Sequence, residues 1–379
     1  MNSPPAPMRP LTVLQIGSRL GMGGITRHIL SLTDWLRQNG HQVTIGGTAD
    51  VWCGPQTEPD FLELPTRYVA SDGGSVPRRL IHLGTAILRL RRWLRANRPD
   101  VIHTHESAPA LVANLARLGL GIPLAVTYHG SEPARIAAFG TIARRCDLVI
   151  TPSHHSAQDL ASIGGVPLQK LRVIGLGVAP APDLHPADIA ALRARLLGDG
   201  QRLIVTIARI EPQKGIDILL DCAARLRQTH PHYRFAVAGD GWQQAELMAR
   251  ASAMGLDGTL TFLGRTTQPH LHLAAADLFL LTSRWEALPF TIVEAFQAGT
   301  PAVATACSGV VELIDDQVGA IAPIGDVGAI CAAVVRVLED EPRRAAMAAA
   351  ALKRSTEDRF NPEWVHAEFV RTYRALAGQ

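Results

Sequence analysis

Apolar residues along this chain fall in short runs bounded by glycine, proline or polar turns. The stretches between them carry apolar positions three and four apart. The runs read as strands and the stretches as helices. Residues 11–16 make a first strand, ended by Gly17, and a helix follows at 25–38. A second strand spans 41–46, residues 50–76 are irregular, and 78–98 is a helix rich in Leu and Arg. Strands at 101–103, 123–128, 148–150 and 171–174 then alternate with helices at 108–118, 132–145 and 155–163. Such alternation predicts a parallel sheet with helices on both faces.

The stretch 177–186, with Pro180, Pro182 and Pro186, reads as a linker. A second alternating set follows, with strands at 203–208, 234–238, 259–263, 278–281 and 319–322. Its helices are expected at 215–227, 243–254, 326–338, 342–353 and 361–376. Residues 284–305 read as loop, helix and strand. Pro289 suits a first helical position, and Gly299 with Pro301 stops the helix. The whole predicts an α/β protein of two Rossmann-like, doubly wound domains, 1–182 and 183–360, with a terminal helix at 361–379. Open sheets of this kind bind ligands beyond the carboxyl ends of their strands. Two of them face to face make one central cleft.

A chain of 379 residues is long for one core and suits two, and at 47% apolar it can fill both. No apolar run reaches the roughly 18 residues a spanning helix needs, and the Pro-rich start lacks the apolar core of a signal peptide. Five cysteines (53, 146, 222, 307 and 331) without close pairs point away from a disulfide framework and toward the cytoplasm. Net charge is +3 but uneven. Residues 1–183 hold 18 Lys+Arg against 12 Asp+Glu, a balance of +6, and the rest 19 against 22, a balance of −3. The N-terminal half is therefore the one expected to meet an anionic surface or acceptor.

Candidate chemistry gathers at predicted strand ends. Glu286 lies just before a helix and Glu294 about one turn inside it. The unpaired N–H groups of such a helix start suit a phosphate, and a carboxylate on each side suits sugar hydroxyls. A lone pair of glutamates is more often a helix-start acid and a solvated residue; the surroundings change the odds. Arg209 ends a strand and Lys214 opens the next helix, so both can converge on one diphosphate and offset charge on a leaving nucleoside diphosphate. Two solvated cations are the plainer reading, but lysine is scarce here, at 170, 214 and 353 alone. Gly23 and Gly24, between the first strand and its helix, let backbone approach a phosphate or sugar, although a plain tight turn is the commoner explanation of such glycines. Their spacing is neither a P-loop nor a dinucleotide fingerprint. His129 ends a strand before Gly130, and His103 and His105 end another. Without supporting carboxylate or cysteine spacing they do not make a metal site.

Glu286, seven residues, then Glu294-Ala295-Phe296-Gln297-Ala298-Gly299-Thr300-Pro301 resembles the signature of retaining glycosyltransferases of family 4, which have the GT-B fold. Residues 208–217 (ARIEPQKGID) resemble that family's G-R-x-x-x-x-K-G-x-D stretch. Residues 21–32 (GMGGITRHILSL) resemble its glycine loop and helix, 127–130 (TYHG) its T-x-H-G/D strand end, and 100–105 its D-V-x-H-x-H strand. Ala287, Ser308 and Leu176 depart from the pattern, where the family has Gly, Gly and often Asn. The resemblance implies that Glu294 holds the ribose hydroxyls and Glu286 the donor sugar, that Arg209 and Lys214 bind the phosphates, and that His129 contacts the sugar near the reacting carbon. It places Gly23, Gly24, Gly239, Leu288, Phe290 and Thr291 around the donor, Arg265 beside the nucleobase, and His103 and His105 on the acceptor side. It implies that no metal or cofactor is required, and that the terminal helix crosses back onto the first domain.

The expected activity is transfer of a sugar from a nucleotide-sugar to an acceptor hydroxyl with retention, in envelope or exported polysaccharide or glycolipid synthesis. A UDP-sugar is the favoured donor and a GDP-sugar the alternative; the acceptor is a carbohydrate or a lipid-linked one. A nucleotide-sugar epimerase of the same fold and a non-catalytic nucleotide-sugar-binding subunit stay open as other readings. The helix from Arg78 to Arg98 has seven arginines and no acid. Leu80, Leu83, Ile87, Leu88, Leu90 and Leu94 are expected to face inward and Arg89, Arg92 and Arg95 outward. A solvated face is the commoner explanation; the functional one is peripheral docking on anionic lipid at the inner face of the cell membrane. At 5% aromatic, without basic–aromatic interleaving, nucleic acid is not the expected partner.

Overall fold

A computed structural model describes residues 9–21, 23–69 and 74–379. The start of the Pro-rich lead, Met22 of the glycine loop and residues 70–73 of the irregular stretch lie outside the described residues. Two all-parallel sheets form. The first has β1 (Thr12–Arg19), β2 (Gln42–Thr48), β3 (Leu62–Glu63), β4 (Val101–His105), β5 (Leu124–Thr127), β6 (Leu148–Thr151) and β7 (Leu171–Val173), in the order β3-β2-β1-β4-β5-β6-β7. The second has β8 (Arg202–Ile207), β9 (Tyr233–Ala238), β10 (Leu260–Gly264), β11 (Leu278–Leu281), β12 (Ala302–Thr305) and β13 (Gly319–Ala322), in the order β10-β9-β8-β11-β12-β13. Both are the Rossmann order, reversing direction once. The reversal falls between β1 and β4 in one sheet and between β8 and β11 in the other. The crevice beyond the strand ends at such a reversal is where these sheets take ligands.

Helices cover both faces because the strands are apolar on both. Only Gln15 interrupts the buried centre of β1. The terminal helix Pro362–Leu376 does cross back. Val365, Phe369 and Tyr373 are 0–1% exposed and pack with Leu11, Val13, Leu32 and Leu36 of the first domain. Burying Phe369 alone contributes about 1.5–3 kcal/mol. Trp35 donates to Glu363 at 2.6 Å and Tyr373 pairs with His103 at 2.6 Å, so the return is specific as well as apolar.

Several expectations change. The irregular stretch contains β3 and a 3₁₀ turn, Thr66–Val69. The linker's Pro186 opens a helix, Pro186–Leu197, because proline fits where no N–H is needed. A seven-residue helix, Pro269–Ala275, was too short to show a period. Pro289 caps the helix Phe290–Gln297 in extended backbone instead of opening it. In the basic helix, Val76–Asn97, Leu90 and Leu94 are buried as expected, but Leu80 and Leu88 are 61% and 71% exposed, with Val76 and Ile81 beside them. Among the described residues no helix is long and apolar enough to cross a membrane.

Candidate active site

Arg209 and Lys214 rise beyond β8, and Glu286 beyond β11, so all three stand at the second sheet's reversal. Local chemistry fixes Lys214. Gly215 adopts φ +62°, and a Cβ there would come 2.1 Å from the Thr282 carbonyl, so only glycine permits the turn to lie against β11. The Thr282 hydroxyl donates to the Gly215 carbonyl at 2.8 Å. Arg284 grips Asp217 through two hydrogen bonds, 2.9 and 2.6 Å, and donates to the Pro212 carbonyl at 2.8 Å. The Arg284 hydrogen bonds hold the Asp217 carboxyl below its usual range. This brace joins the two loops, and Lys214 Nζ meets Glu286 Oε1 at 2.5 Å. The Ser283 hydroxyl donates to the same oxygen at 2.7 Å. Glu286 is 9% exposed. Arg209 is exposed, held by Glu211 at 2.7 Å and Gln213 at 3.1 Å.

Glu294, 2% exposed, sits within the helix Phe290–Gln297. Its partner comes from the other domain: Arg27, one turn into the helix Gly24–Gln38, pairs with Glu294 Oε1 and lies over the Phe290 ring at 5.7 Å. Gly24 faces the same ring. The glycine loop is thus packed on the second domain's helix start, with Phe290 between. Leu288 is buried beside it. Further contacts close the cleft. The Ser308 hydroxyl donates to Asp159 at 2.7 Å, and Glu312 accepts from the backbone N–H groups of His154 and His155 at 3.0 and 2.5 Å. Ala287, in place of the expected Gly, is sandwiched: a Cβ on Gly309 would fall 1.4 Å from its carbonyl, and one on Gly130 2.8 Å from its N. Both neighbours are glycine because this backbone lies so close, and Gly130 also leaves room for the methyl, since a Cβ there would come 3.2 Å from it.

Behind β4 and β5 runs a chain of histidines. Tyr373 and Thr127 take the two nitrogens of His103 at 2.6 and 2.7 Å. His105 shares one hydrogen bond with Gln15 at 3.2 Å and another with His129 at 3.0 Å. His28 packs edge-on against His105 and His129. Burial drives His103 down to about 3 and His129 down to about 4, so both are neutral at pH 7. His103 and His105 are wholly buried; His105 holds His129, and His103 packs against His105. Gly239, at φ +144°, has a local reason, since a Cβ would fall 1.8 Å from the Ala208 carbonyl. Arg265 is held by Asp240 at 2.6 Å. No side-chain hydrogen bond fixes Thr291 among the described residues, and it is held as part of the helix Phe290–Gln297. No group of three His, Cys, Asp or Glu among them is placed to hold a metal ion.

Arg27 and Tyr373 escaped sequence reasoning: Arg27 had a local signal, a cation one turn after the glycines, and Tyr373 had none. Glu312 ends a stretch, 308–312, that resembles the family's G-G-x-x-E turn, but its partners His154 and His155 were not legible.

Residues 22–181 match the family described as Glycosyltransferase Family 4, and 189–354 that described as Glycosyl transferases group 1. Glycogen synthase of Mycobacterium tuberculosis is 28% identical over 89% of this chain and 87% of its own. Phosphatidyl-myo-inositol mannosyltransferase of Mycolicibacterium smegmatis is 27% identical over 94% of this chain and 91% of its own. Among solved structures, the Anabaena protein HepE in complex with UDP-glucose superposes with a TM-score of 0.80 at 21% identity, covering 96% of this chain and 100% of that one.

Proposed function

Because the chain belongs to the glycosyltransferases, a family 4 domain followed by a group 1 domain, we propose that it moves a hexose from a UDP-sugar to an acceptor hydroxyl with retention. The donor binds the domain 183–360 and the acceptor approaches from 1–182. The observation that carries this is the braced Lys214–Glu286 pair beside Arg209 at the second sheet's reversal. Arg209 and Lys214 bind the diphosphate and offset the charge it gains on leaving. Glu286 orients the donor sugar and Glu294, once released by Arg27, takes the ribose hydroxyls. The acceptor attacks from the leaving group's face, and the departing phosphate accepts its proton. The closed interdomain contacts exclude water, which otherwise hydrolyses the donor.

The product belongs to an envelope or exported glycan or glycolipid, made at the inner membrane face. Supporting this, the helix Val76–Asn97 presents exposed Val76, Leu80, Ile81 and Leu88 together with Arg78, Arg89, Arg92 and Arg95. None of these four arginines has an acidic partner among the described residues. Aliphatic side chains beside unpaired arginines suit anionic headgroups.

The test is incubation with UDP-glucose or GDP-mannose, in buffer and on phosphatidylglycerol vesicles. The expected result is UDP release, sugar appearing first as the α anomer by NMR, and protein pelleting with the vesicles. A first-formed β anomer, or no nucleotide released from either donor, contradicts the reading.

A further inference from the structure

We infer that Glu106 determines acceptor specificity: its carboxylate takes a hydrogen bond from a hydroxyl of a neutral, polyhydroxylated acceptor, opposite the donor's phosphates. This rests on the donor reading above.

Glu106 has φ 77° and ψ 169°, a region essentially reserved for glycine and costing about 1–3 kcal/mol in any other residue. The other non-glycine residue with positive φ among those described is Arg98, at φ 45° and ψ 60°. That is the ordinary left-handed end of a helix, whereas Glu106 has no such excuse. It also stands at the N-terminal cap of the helix Ser107–Ala116 without its side chain capping it. The strained backbone instead sends the carboxylate across the first sheet's reversal, from the tip of β4 to that of β1, where it accepts from the Ser18 N–H at 3.3 Å. This is the ligand crevice of the first sheet, as the Lys214–Glu286 pair marks that of the second.

The group is partly buried, and burial raises its carboxyl pKa; Ser18 and the charge of Arg209 pull the other way. Arg209, beyond β8 of the opposite domain, is near enough for its charge to be felt at the carboxylate. The preceding residue, His105, holds His129, so Glu106 and His129 stand at neighbouring strand ends. A carboxylate here accepts from hydroxyls and repels phosphates or carboxylates, which selects the uncharged end of an acceptor. It is a positioning group: the new bond joins the acceptor oxygen to the sugar carbon, the sugar–phosphate bond breaks, and the proton leaves on the phosphate.

The experiment compares wild type, Glu106→Gln and Glu106→Gly, with UDP-glucose as donor and glycerol as probe acceptor. UDP affinity is expected to stay within about twofold in all three. Glu106→Gly relieves the backbone strain and is expected to raise Tm by about 2–4 °C. Glycerol-dependent UDP release is nevertheless expected to fall about 10–100-fold in Glu106→Gly, and Glu106→Gln is expected to raise KM for glycerol more than it lowers kcat. A more stable Glu106→Gly that transfers as well as wild type overturns the inference. So does a loss of UDP binding and Tm together, which would make the residue structural. Absence of UDP binding by wild type would instead strike the donor reading.

Discussion

Lys214→Ala is expected to slow sugar transfer by about 10²–10³-fold, the usual loss when one preorganised donor to developing charge is removed. The leaving diphosphate gains charge as the sugar bond breaks, and Lys214 is the cation the structure invests most in holding. Gly215, Thr282 and the Arg284–Asp217 brace all fix its loop. Arg209 is exposed, and its partners Glu211 and Gln213 belong to its own loop. The variant also leaves Glu286 nearly buried with Ser283 as its remaining partner. Breaking a buried pair from one side costs about 3–5 kcal/mol, so Lys214→Ala is expected to lose stability too. The double variant Lys214→Ala with Glu286→Gln is expected to regain stability, because no buried charge is left unpaired. Steady-state kcat with thermal unfolding reads both, and unchanged kcat in a folded Lys214→Ala protein would refute the role.

Acidification from pH 7 to pH 5 is expected to remove about 4 kcal/mol of stability through two histidines alone. Burial holds His103 down to about 3 and His366 down to about 4 in the folded chain. An unfolded histidine titrates near 6.5. Between those values the unfolded chain binds the proton and the folded one does not, so stability rises with pH and is lost as pH falls below about 6.5. Each group contributes about 2 kcal/mol over this interval. His28, His105 and His129 are held down in the same direction; Glu106 and Asp34, raised by burial, oppose it more weakly. In His366→Leu the loss is expected to shrink by about 2 kcal/mol. His366 Nδ1 has no partner and Nε2 only a 3.5 Å contact with Ser31, so leucine strands little. Urea unfolding of both proteins at pH 7 and pH 5 measures this. Parallel losses would show that His366 does not carry its share.

The histidine chain also shows where sequence reading stops. Both sheets were legible because strands covered on two faces are continuous apolar runs, and helices between them keep their period. β3 has two residues and the helix Pro269–Ala275 seven, below what periodicity can register. In the basic helix the pattern identified apolar positions but not which of them have a neighbour to cover them, so Leu80 and Leu88 were misplaced. Lys214, Glu286 and Glu294 stood out because each belongs to a short local spacing. Arg27 meets a partner 267 residues away, His103 one 270 away and Glu312 one 158 away. Nothing in a single chain's local pattern encodes such pairings. The strain at Glu106 was equally hidden, since a glutamate after a strand shows no sign of a glycine's backbone.

The claim on which the account rests is that the second sheet's reversal, with Glu294 at its helix start, is a nucleotide-sugar donor site. Calorimetric titration of UDP into wild type and Glu294→Ala tests it most directly. The account predicts saturable binding by wild type and affinity about 10–100-fold weaker in the variant, since a buried carboxylate loses its ribose hydroxyls. No binding by wild type, or equal binding by both proteins, would contradict it.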